Sequence, residues 1–172
     1  MPTKRLLSFF VLTLLLSAGC NLLKPRTSSH PPATKPKTDT GTASLRRNVV
    51  NYGQKFVGTK YHYAGTSPNT GFDCSGFTSY VMKEFNIRVS PASSKQATEG
   101  RPVPLDRAQP GDLIFFGEDA KHIQHVALLV RRSSDGLTCV HSTTSRGVIV
   151  ENVSKSSYWK PKILFARDVI TR

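Results

Sequence analysis

The chain has 172 residues and a formal net charge of +13 at pH 7. Two of these charges lie in residues 1–20 and a net three in residues 21–44, which leaves +8 for residues 45–172. The last 128 residues have the usual size of a single domain, and they show no internal repeat. These values argue against a repeat array. The positive charge is consistent with general solubility or with attraction to an anionic surface.

Residues 1–20 have the pattern of a secretory signal peptide. Lys4 and Arg5 precede thirteen mostly apolar residues, from Leu6 to Ala18, and the segment ends in small residues. This run is shorter than the roughly 20 residues that a membrane-spanning helix needs. Its few hydroxyl residues also form no polar face, as a core helix would require. We therefore expect export.

The end of this segment, LLSAGC, resembles the lipobox of bacterial lipoproteins. By this resemblance Cys20 becomes the lipidated first residue of the mature chain, although Ser17 stands where the motif most often has Leu. Two or three acyl chains would anchor the protein stably. The residue after Cys20 is Asn21 and not Asp. In a Gram-negative cell this favours the outer membrane, with the protein facing the periplasm.

Residues 21–44 are predicted to be a disordered tether. They contain four prolines and eight serines or threonines, with almost nothing apolar after Leu23. Such a stretch cannot bury enough apolar surface to offset the entropy lost on ordering. It would hold a domain of residues 45–172 away from the membrane while leaving it mobile. Export to the envelope also argues against nucleic acid as the partner and favours cell-wall polymer or lipid headgroups.

Helical patterns come first in this domain. Residues 45–58 place apolar side chains at helical spacing, with Gly58 as the stop, and residues 65–71 are rich in turn formers. A second helix is predicted to begin at Cys74 with Asp73 as its N-cap, because apolar residues recur after it at intervals of three and four. A short helix is predicted between Pro91 and Gln96.

Strand patterns follow the helices. Leu113–Phe116 and His125–Val130 are apolar runs, and GLTCVH, GVIVENV and ILFARDV supply three more candidate strands. Helices followed by strands predict an α+β domain with an antiparallel sheet.

Cys74 has three alternative roles: half of a disulfide with Cys139, a core residue, or a nucleophile. An exported protein permits the disulfide. However, Cys139 lies in an alternating strand pattern, where a small buried hydrophobe is the expected role. A thiol at a helix N-terminus is expected to have a lowered pKa, because unpaired N–H groups and the helix dipole favour the thiolate. This position favours a nucleophile.

A thiol nucleophile needs a base, usually His, held by a third group. His125 begins one predicted strand and His141 ends the next, so an antiparallel hairpin would bring the two rings together. His122 lies close to His125 in KHIQH, but the thiol or acid spacing of a zinc site is missing, and we expect no metal. His62 is expected to have a surface or supporting role.

Five sequence blocks occur in this order along the domain: YHYAG at 61–65, FDCSGF at 72–77, PGDLIFF at 110–116, HVALLV at 125–130 and VHSTTSRGVIVEN at 140–152. Together they resemble the ordered blocks of NlpC-type cell-wall cysteine peptidases. The resemblance covers residues 46–168. It implies a papain-like α+β fold, with N-terminal helices packed on an antiparallel sheet, and hydrolysis of peptide bonds in peptidoglycan stem peptides.

The same resemblance implies roles for individual residues. Cys74 corresponds to the nucleophile, His125 to the base and general acid, and His141 to the group that orients the imidazole. The Tyr61 hydroxyl would bind the developing oxyanion together with the backbone N–H of Cys74. Asp73 and Ser75 would contact polar groups of the stem peptide.

Two departures from the family pattern concern substrate binding and a turn. Ala64 stands where the first Gly of a pair is usual. In SPASSKQ, at 90–96, Ala92 falls where an Arg often stands. If that Arg holds a substrate carboxylate, the charge must come from another residue, for which Lys95 is a candidate.

The sequence therefore predicts a monomeric, lipid-anchored peptidoglycan endopeptidase with a Cys-His-His triad of Cys74, His125 and His141. It cuts within or between stem peptides, near D-glutamate, diaminopimelate or D-alanine, and needs no cofactor or metal. Two alternatives stay open: a catalytically silent wall-binding lipoprotein, and a lipid acyltransferase or hydrolase on the same fold. A continuous apolar channel at Cys74 would favour the lipid enzyme, and a narrow polar cleft the peptidase.

Overall fold

The computed structural model describes residues 40–171. The predicted signal peptide, Cys20 and residues 21–39 of the predicted tether lie outside the described residues. Within residues 40–171, no helix has both the length and the apolar character needed to cross a bilayer.

Helices precede most of the sheet, as predicted for an α+β domain. The helices are α1 (Thr40–Gln54), α2 (Cys74–Glu84) and α3 (Ser93–Gln96). The strands are β1 (Thr66–Ser67), β2 (Gly71–Phe72), β3 (Arg101–Val103), β4 (Leu113–Gly117), β5 (Ile123–Ser133), β6 (Gly136–Thr143), β7 (Gly147–Asn152) and β8 (Ile163–Asp168). Single turns of 3₁₀ helix lie at Leu105–Arg107 and Lys160–Lys162.

The main sheet has six strands in the order β3-β8-β4-β5-β6-β7, and each pair of neighbouring strands is antiparallel. β1 and β2 form a separate antiparallel hairpin before α2. The five longer strands were predicted from their apolar patterns. The three shortest, β1 to β3, were not, because segments of two or three residues carry no periodicity.

Both faces of the central strands are buried. In β4, Leu113 and Phe115 pack into the core on the side of α1 and α2, whereas Ile114 and Phe116 pack into a second core on the opposite face. The second core is covered by loop residues, including Trp159. Each large apolar side chain buried in this way contributes about 1.5–3 kcal/mol to folding. Burial on both faces explains why β4 is a continuous apolar run and not an alternating one.

The first helix begins five residues earlier than predicted and ends four residues earlier. Residues 40–44, assigned from composition to the tether, form its first turn. Packing of Val49 and Leu45 against the core stabilises the helix more than residue propensity does, so polar neighbours are included. Val57, expected on the apolar face, lies beyond the helix and is 51% exposed.

The start of α2 is determined by local interactions. Asp73 is the N-cap, as predicted, and its Oδ1 accepts a hydrogen bond from the Gly76 N–H at 2.6 Å. A Cβ on Gly76 would lie 2.0 Å from the carbonyl oxygen of Gly65, so this close approach requires glycine. The Asp73 N–H donates to the same Gly65 oxygen at 3.0 Å. The preceding turn and the helix are therefore held together at Cys74.

Ala64 adopts the left-handed conformation, with φ of 55°. This conformation costs a non-glycine residue roughly 1–2 kcal/mol. Ala64 therefore holds this turn at some cost in stability.

A buried ion network joins α1 to the start of β4 and the end of β8, which lie side by side in the sheet. The Arg46 guanidinium contacts Asp112 Oδ1 at 2.7 Å and Asp168 Oδ2 at 2.9 Å, and it donates to the Pro110 carbonyl at 3.0 Å. All three charged side chains are at least nine-tenths buried. Asp168 also pairs with Arg101, which lies at the surface. Arg46 is therefore the main compensation for two buried carboxylates.

We expect Arg46→Met to lower the free energy of unfolding by about 3–5 kcal/mol, because it leaves the buried Asp112 carboxylate without its cation and Asp168 with only the surface residue Arg101. The exposed neighbour Arg47 provides the matched control, and Arg47→Met should change stability by less than about 0.5 kcal/mol. Urea unfolding of the two variants checks this. Equal stability of both variants would contradict a structural role for the network.

Candidate active site

One cleft contains three of the residues that the sequence predicted to act together. Cys74, His125 and Tyr61 line a cavity of about 520 Å³. Cys74 comes from the first turn of α2, His125 from β5, and Tyr61 from the segment that pairs with Phe72 just before the helix. The cleft therefore lies where the helical and sheet parts of the domain meet.

Burial determines the direction in which the pKa of the Cys74 thiol is shifted. Its pKa is raised, chiefly because the side chain is desolvated, and Asp73 adds to the rise. Hydrogen bonds from the backbone N–H of Val126 and from Ser75 act in the opposite direction but do not outweigh burial. The prediction that the helix N-terminus would lower this pKa was wrong. The helix dipole is a small effect compared with removal of a thiolate from water.

The two predicted histidines are in contact. His125 Nε2 and His141 Nδ1 are 2.9 Å apart, which is hydrogen-bond distance. The contact follows from the pairing of β5 with β6, in which Leu128 lies opposite Val140. Burial lowers the pKa of His125 well below its usual value, with further lowering by His141 and Lys162. The imidazole is therefore neutral at pH 7 and can accept a proton.

Glu151 extends this hydrogen-bonded chain, and sequence analysis assigned it no role. Its Oε1 lies 3.0 Å from His141 Nε2. Burial lowers the pKa of His141 to about 4, although Glu151 acts in the opposite direction. The register of β6 and β7 brings these two residues together, because His141 pairs with Ile149, two residues before Glu151. That register could not be derived from residue types.

Trp159 covers both histidines. Its ring stacks on His125 with centroids 4.4 Å apart and meets His141 edge-on at 5.2 Å. Its Nε1–H donates to Glu151 Oε1 at 2.9 Å. Sequence analysis missed Trp159 as well. A tryptophan beside two tightly spaced His rings restricts both their rotation and their access to water.

Tyr61 lies near the thiol, whereas the other two predicted binding residues have capping contacts. The pKa of Tyr61 is raised by burial and by the nearby Cys74 and Asp73. The Ser75 hydroxyl is buried and donates to Asp73 Oδ1 at 3.2 Å. Neither Asp73 nor Ser75 is among the residues that line the cleft. Their predicted contact with the stem peptide stays a prediction.

The cleft has hydroxyl and cationic walls. Its described lining includes Ser142, Thr143, Arg146 and Lys162, and none of the described lining residues carries a carboxylate. The Lys162 ammonium lies 3.6 Å from the centroid of the Tyr158 ring. Lys95, the residue suggested as a source of positive charge, is not among them.

Cys139 is fully buried in the second core, as predicted for a small hydrophobe, and both cysteines in the described range are free thiols. Within residues 40–171 there is no cluster of three His, Cys, Asp or Glu side chains suited to a metal. His122 is exposed and contacts Asp119 at 2.9 Å, and His62 is also exposed. Neither belongs to the cleft.

Known proteins with similar sequences and structures agree with this architecture. The chain is 36% identical over 124 residues to Gamma-DL-glutamyl hydrolase of Bacillus subtilis (strain 168), covering 70% of this chain but 29% of that protein. It is 29% identical over 161 residues to Probable endopeptidase NlpC of Escherichia coli (strain K12), covering 92% of this chain and 96% of that protein. The chain thus spans less than a third of the first relative and nearly all of the second.

A crystal structure of an NlpC/P60 family protein from Bacillus cereus ATCC 10987 superimposes with a TM-score of 0.66 and 31% identity, covering 73% of this chain and 40% of that chain. The profile of the NlpC/P60 family matches residues 58–168, which include Tyr61, Cys74, His125, His141 and Glu151. The five blocks, the α+β fold and these matches lead to one conclusion: the chain belongs to the NlpC/P60 family.

Proposed function

We propose that this chain is a cysteine endopeptidase that hydrolyses a peptide bond in or between peptidoglycan stem peptides. One observation carries the proposal: a helix-terminal thiol shares a cleft with His125, whose ring is held by His141 at 2.9 Å. A nucleophile, a base and a group that orients the base are the parts that covalent acyl transfer requires. A similar solved structure, the NlpC/p60 domain of peptidoglycan hydrolase SagA, supports peptidoglycan as the substrate class.

Attack begins from a neutral pair. The Cys74 thiol is protonated at pH 7 and His125 is unprotonated, since burial disfavours both charged forms. The thiol proton passes to His125 Nδ1, the ring nitrogen that His141 leaves free, while Sγ bonds to the scissile carbonyl carbon. The same proton then goes to the departing amine as the C–N bond breaks, and a thioester remains on Cys74.

Hydrolysis restores the enzyme. His125 takes a proton from water, the resulting hydroxide attacks the thioester carbonyl, and the C–S bond breaks. The proton returns to the Cys74 sulfur and the carboxylic acid product leaves. In both steps the carbonyl oxygen becomes negative, and the backbone N–H of Cys74 with the Tyr61 hydroxyl supplies donors for it. A first-turn N–H of a helix has no intrahelical acceptor and is available for this.

The lining of the cleft favours a polar, acidic acyl donor. Hydroxyl groups and two cations, Arg146 and Lys162, match a peptide that carries carboxylates, as stem peptides do through D-glutamate and diaminopimelate. A lipid substrate would require a continuous apolar channel. Arg146 and Lys162 also supply the positive charge that an Arg in place of Ala92 would have provided.

We propose, as the sequence predicted, a monomer anchored through lipid on Cys20 in the cell envelope.

Cys74→Ala should reduce the release of muropeptide fragments about 10⁵-fold or to background, because the nucleophile is lost. Cys139→Ala is the matched thiol control and should retain turnover, since Cys139 lies in the second core and not in the cleft. Mass spectrometry of digested sacculi and defined muropeptides measures both. Binding of sacculi by the unmutated chain without any release would favour the wall-binding alternative, and acyl release from phospholipid vesicles would favour the lipid enzyme.

The rate of Cys74 alkylation by iodoacetamide should be low at pH 7 and rise with pH beyond the usual thiol pKa. The thiolate is the reactive form, and burial raises the pKa of this thiol above its ordinary value. Peptide mapping between about pH 6 and pH 10 separates Cys74 from the other cysteines. A rate that has already reached its plateau below pH 7 would indicate a preformed thiolate-imidazolium pair instead.

Lys162→Gln should raise KM about tenfold for a substrate with a free carboxylate, with a much smaller change in kcat, because one charge-assisted contact is lost. Lys160→Gln is the control, since Lys160 is exposed in the same 3₁₀ turn and does not line the cleft. Steady-state kinetics on a defined muropeptide and on its amidated form measures the effect. An equal KM ratio for the two substrates in the variant and the wild type would exclude Lys162 from carboxylate binding.

A further inference from the structure

We propose that Glu151 is a positioning residue that fixes which nitrogen carries the hydrogen on His141 and, through it, on His125. Its catalytic consequence rests on the proposed function, whereas the hydrogen assignment does not. Glu151 lies on the edge strand β7, outside the lining of the cleft, so it acts through His141 and not on the substrate.

A single oxygen atom of Glu151 determines which nitrogen of His141 carries the hydrogen. Oε1 of Glu151 has three nitrogen neighbours: Arg146 at 2.7 Å, Trp159 Nε1 at 2.9 Å and His141 Nε2 at 3.0 Å. A guanidinium and an indole N–H can only donate hydrogen bonds. Oε1 is therefore an acceptor, and the remaining neighbour, His141 Nε2, must carry a hydrogen to contact it favourably.

The position of the hydrogen on His125 follows from its position on His141. With hydrogen on Nε2 and a pKa lowered to about 4, His141 is neutral at pH 7 and its Nδ1 is an acceptor. The 2.9 Å contact then requires His125 Nε2 to donate. His125 is also neutral, so its Nδ1 keeps the lone pair. The nitrogen left free by His141 is thus the one able to take the thiol proton.

Without the Glu151 carboxylate, a second arrangement of the hydrogens on His125 and His141 becomes available. His141 could carry its hydrogen on Nδ1 and donate it to His125 Nε2, which would then place the hydrogen of His125 on Nδ1. In that tautomer His125 cannot accept a proton from Cys74. The two arrangements have the same heavy-atom distances. A group outside the His125–His141 pair must therefore stabilise one of them over the other. Glu151 is that group among the described residues in contact with His141.

The surroundings hold the carboxylate in place. The side chain of His141 is fully buried, whereas that of Glu151 is 19% exposed. Trp159 donates to Glu151 and also packs on both His rings. Rotation of the carboxylate would therefore break its hydrogen bonds to Trp159 and to His141. Arg146 is about half exposed and contributes mainly charge.

Two variants, Glu151→Leu and Glu151→Ser, remove the carboxylate, and Glu151→Gln keeps an acceptor oxygen. Glu84→Gln is the control, because Glu84 is exposed at the far end of α2. Nitrogen-15 NMR of the histidine rings in the full chain reports which nitrogen carries hydrogen. Turnover of a defined muropeptide, measured in parallel, gives kcat and KM separately.

We expect both His125 and His141 to carry hydrogen on Nε2 in the wild type and in Glu84→Gln. In the Leu and Ser variants the Nδ1–H form of His125 should appear, and kcat should fall about 10²-fold with KM nearly unchanged. The Gln variant should recover most of the Nε2–H form of His125 and most of kcat. If the Leu variant does not fold, the Ser variant carries the test.

Unchanged tautomers in a folded variant without the carboxylate would overturn the proposal, whatever the activity. Changed tautomers with unchanged kcat would overturn its catalytic part. A wild-type chain that cleaves no muropeptide would refute the proposed function but not the hydrogen assignment, which NMR tests independently.

Discussion

The register between β5 and β6 is the constraint on which the site depends. Leu128 lies opposite Val140, and this pairing places His125 and His141 on the same face of the sheet, within hydrogen-bond distance. A slip of one residue would turn one ring to the opposite face. Apolar residues buried on both faces of these strands hold the register, so the geometry of the proposed base, His125, depends on the packing of the whole sheet.

Cys74, the proposed nucleophile, reaches the same cleft through other contacts than those that position the two histidines. Asp73 caps α2, and Gly76 lets the preceding turn approach the helix closely. Gln96, buried in the next short helix, accepts from Thr78 at 2.9 Å and donates to the Ser75 carbonyl at 3.0 Å. These contacts involve atoms of the first two turns of α2. The thiol is therefore held by the helical layer and the imidazole by the sheet, and the core between the layers sets their separation.

Burial has two effects that belong together. It fixes the geometry of Cys74, His125 and His141, and it disfavours the charged form of each. In the proposed mechanism, a site that is buried in this way moves a proton between neutral groups during attack. Its efficiency depends on which ring nitrogen is free, and therefore on the hydrogen-bonded chain that ends at Glu151.

The sequence by itself determined the three helices and the five longer strands, and it predicted the roles of Cys74, His125 and His141. Helix capping at Asp73 and apolar periodicity depend on neighbouring residues only, so they can be read from the chain. The tertiary structure alone decided that Glu151 contacts His141, that Lys162 enters the cleft, and that the Cys74 pKa rises. Contacts between strands depend on register, and the sign of a pKa shift depends on burial; neither is encoded in local residue order.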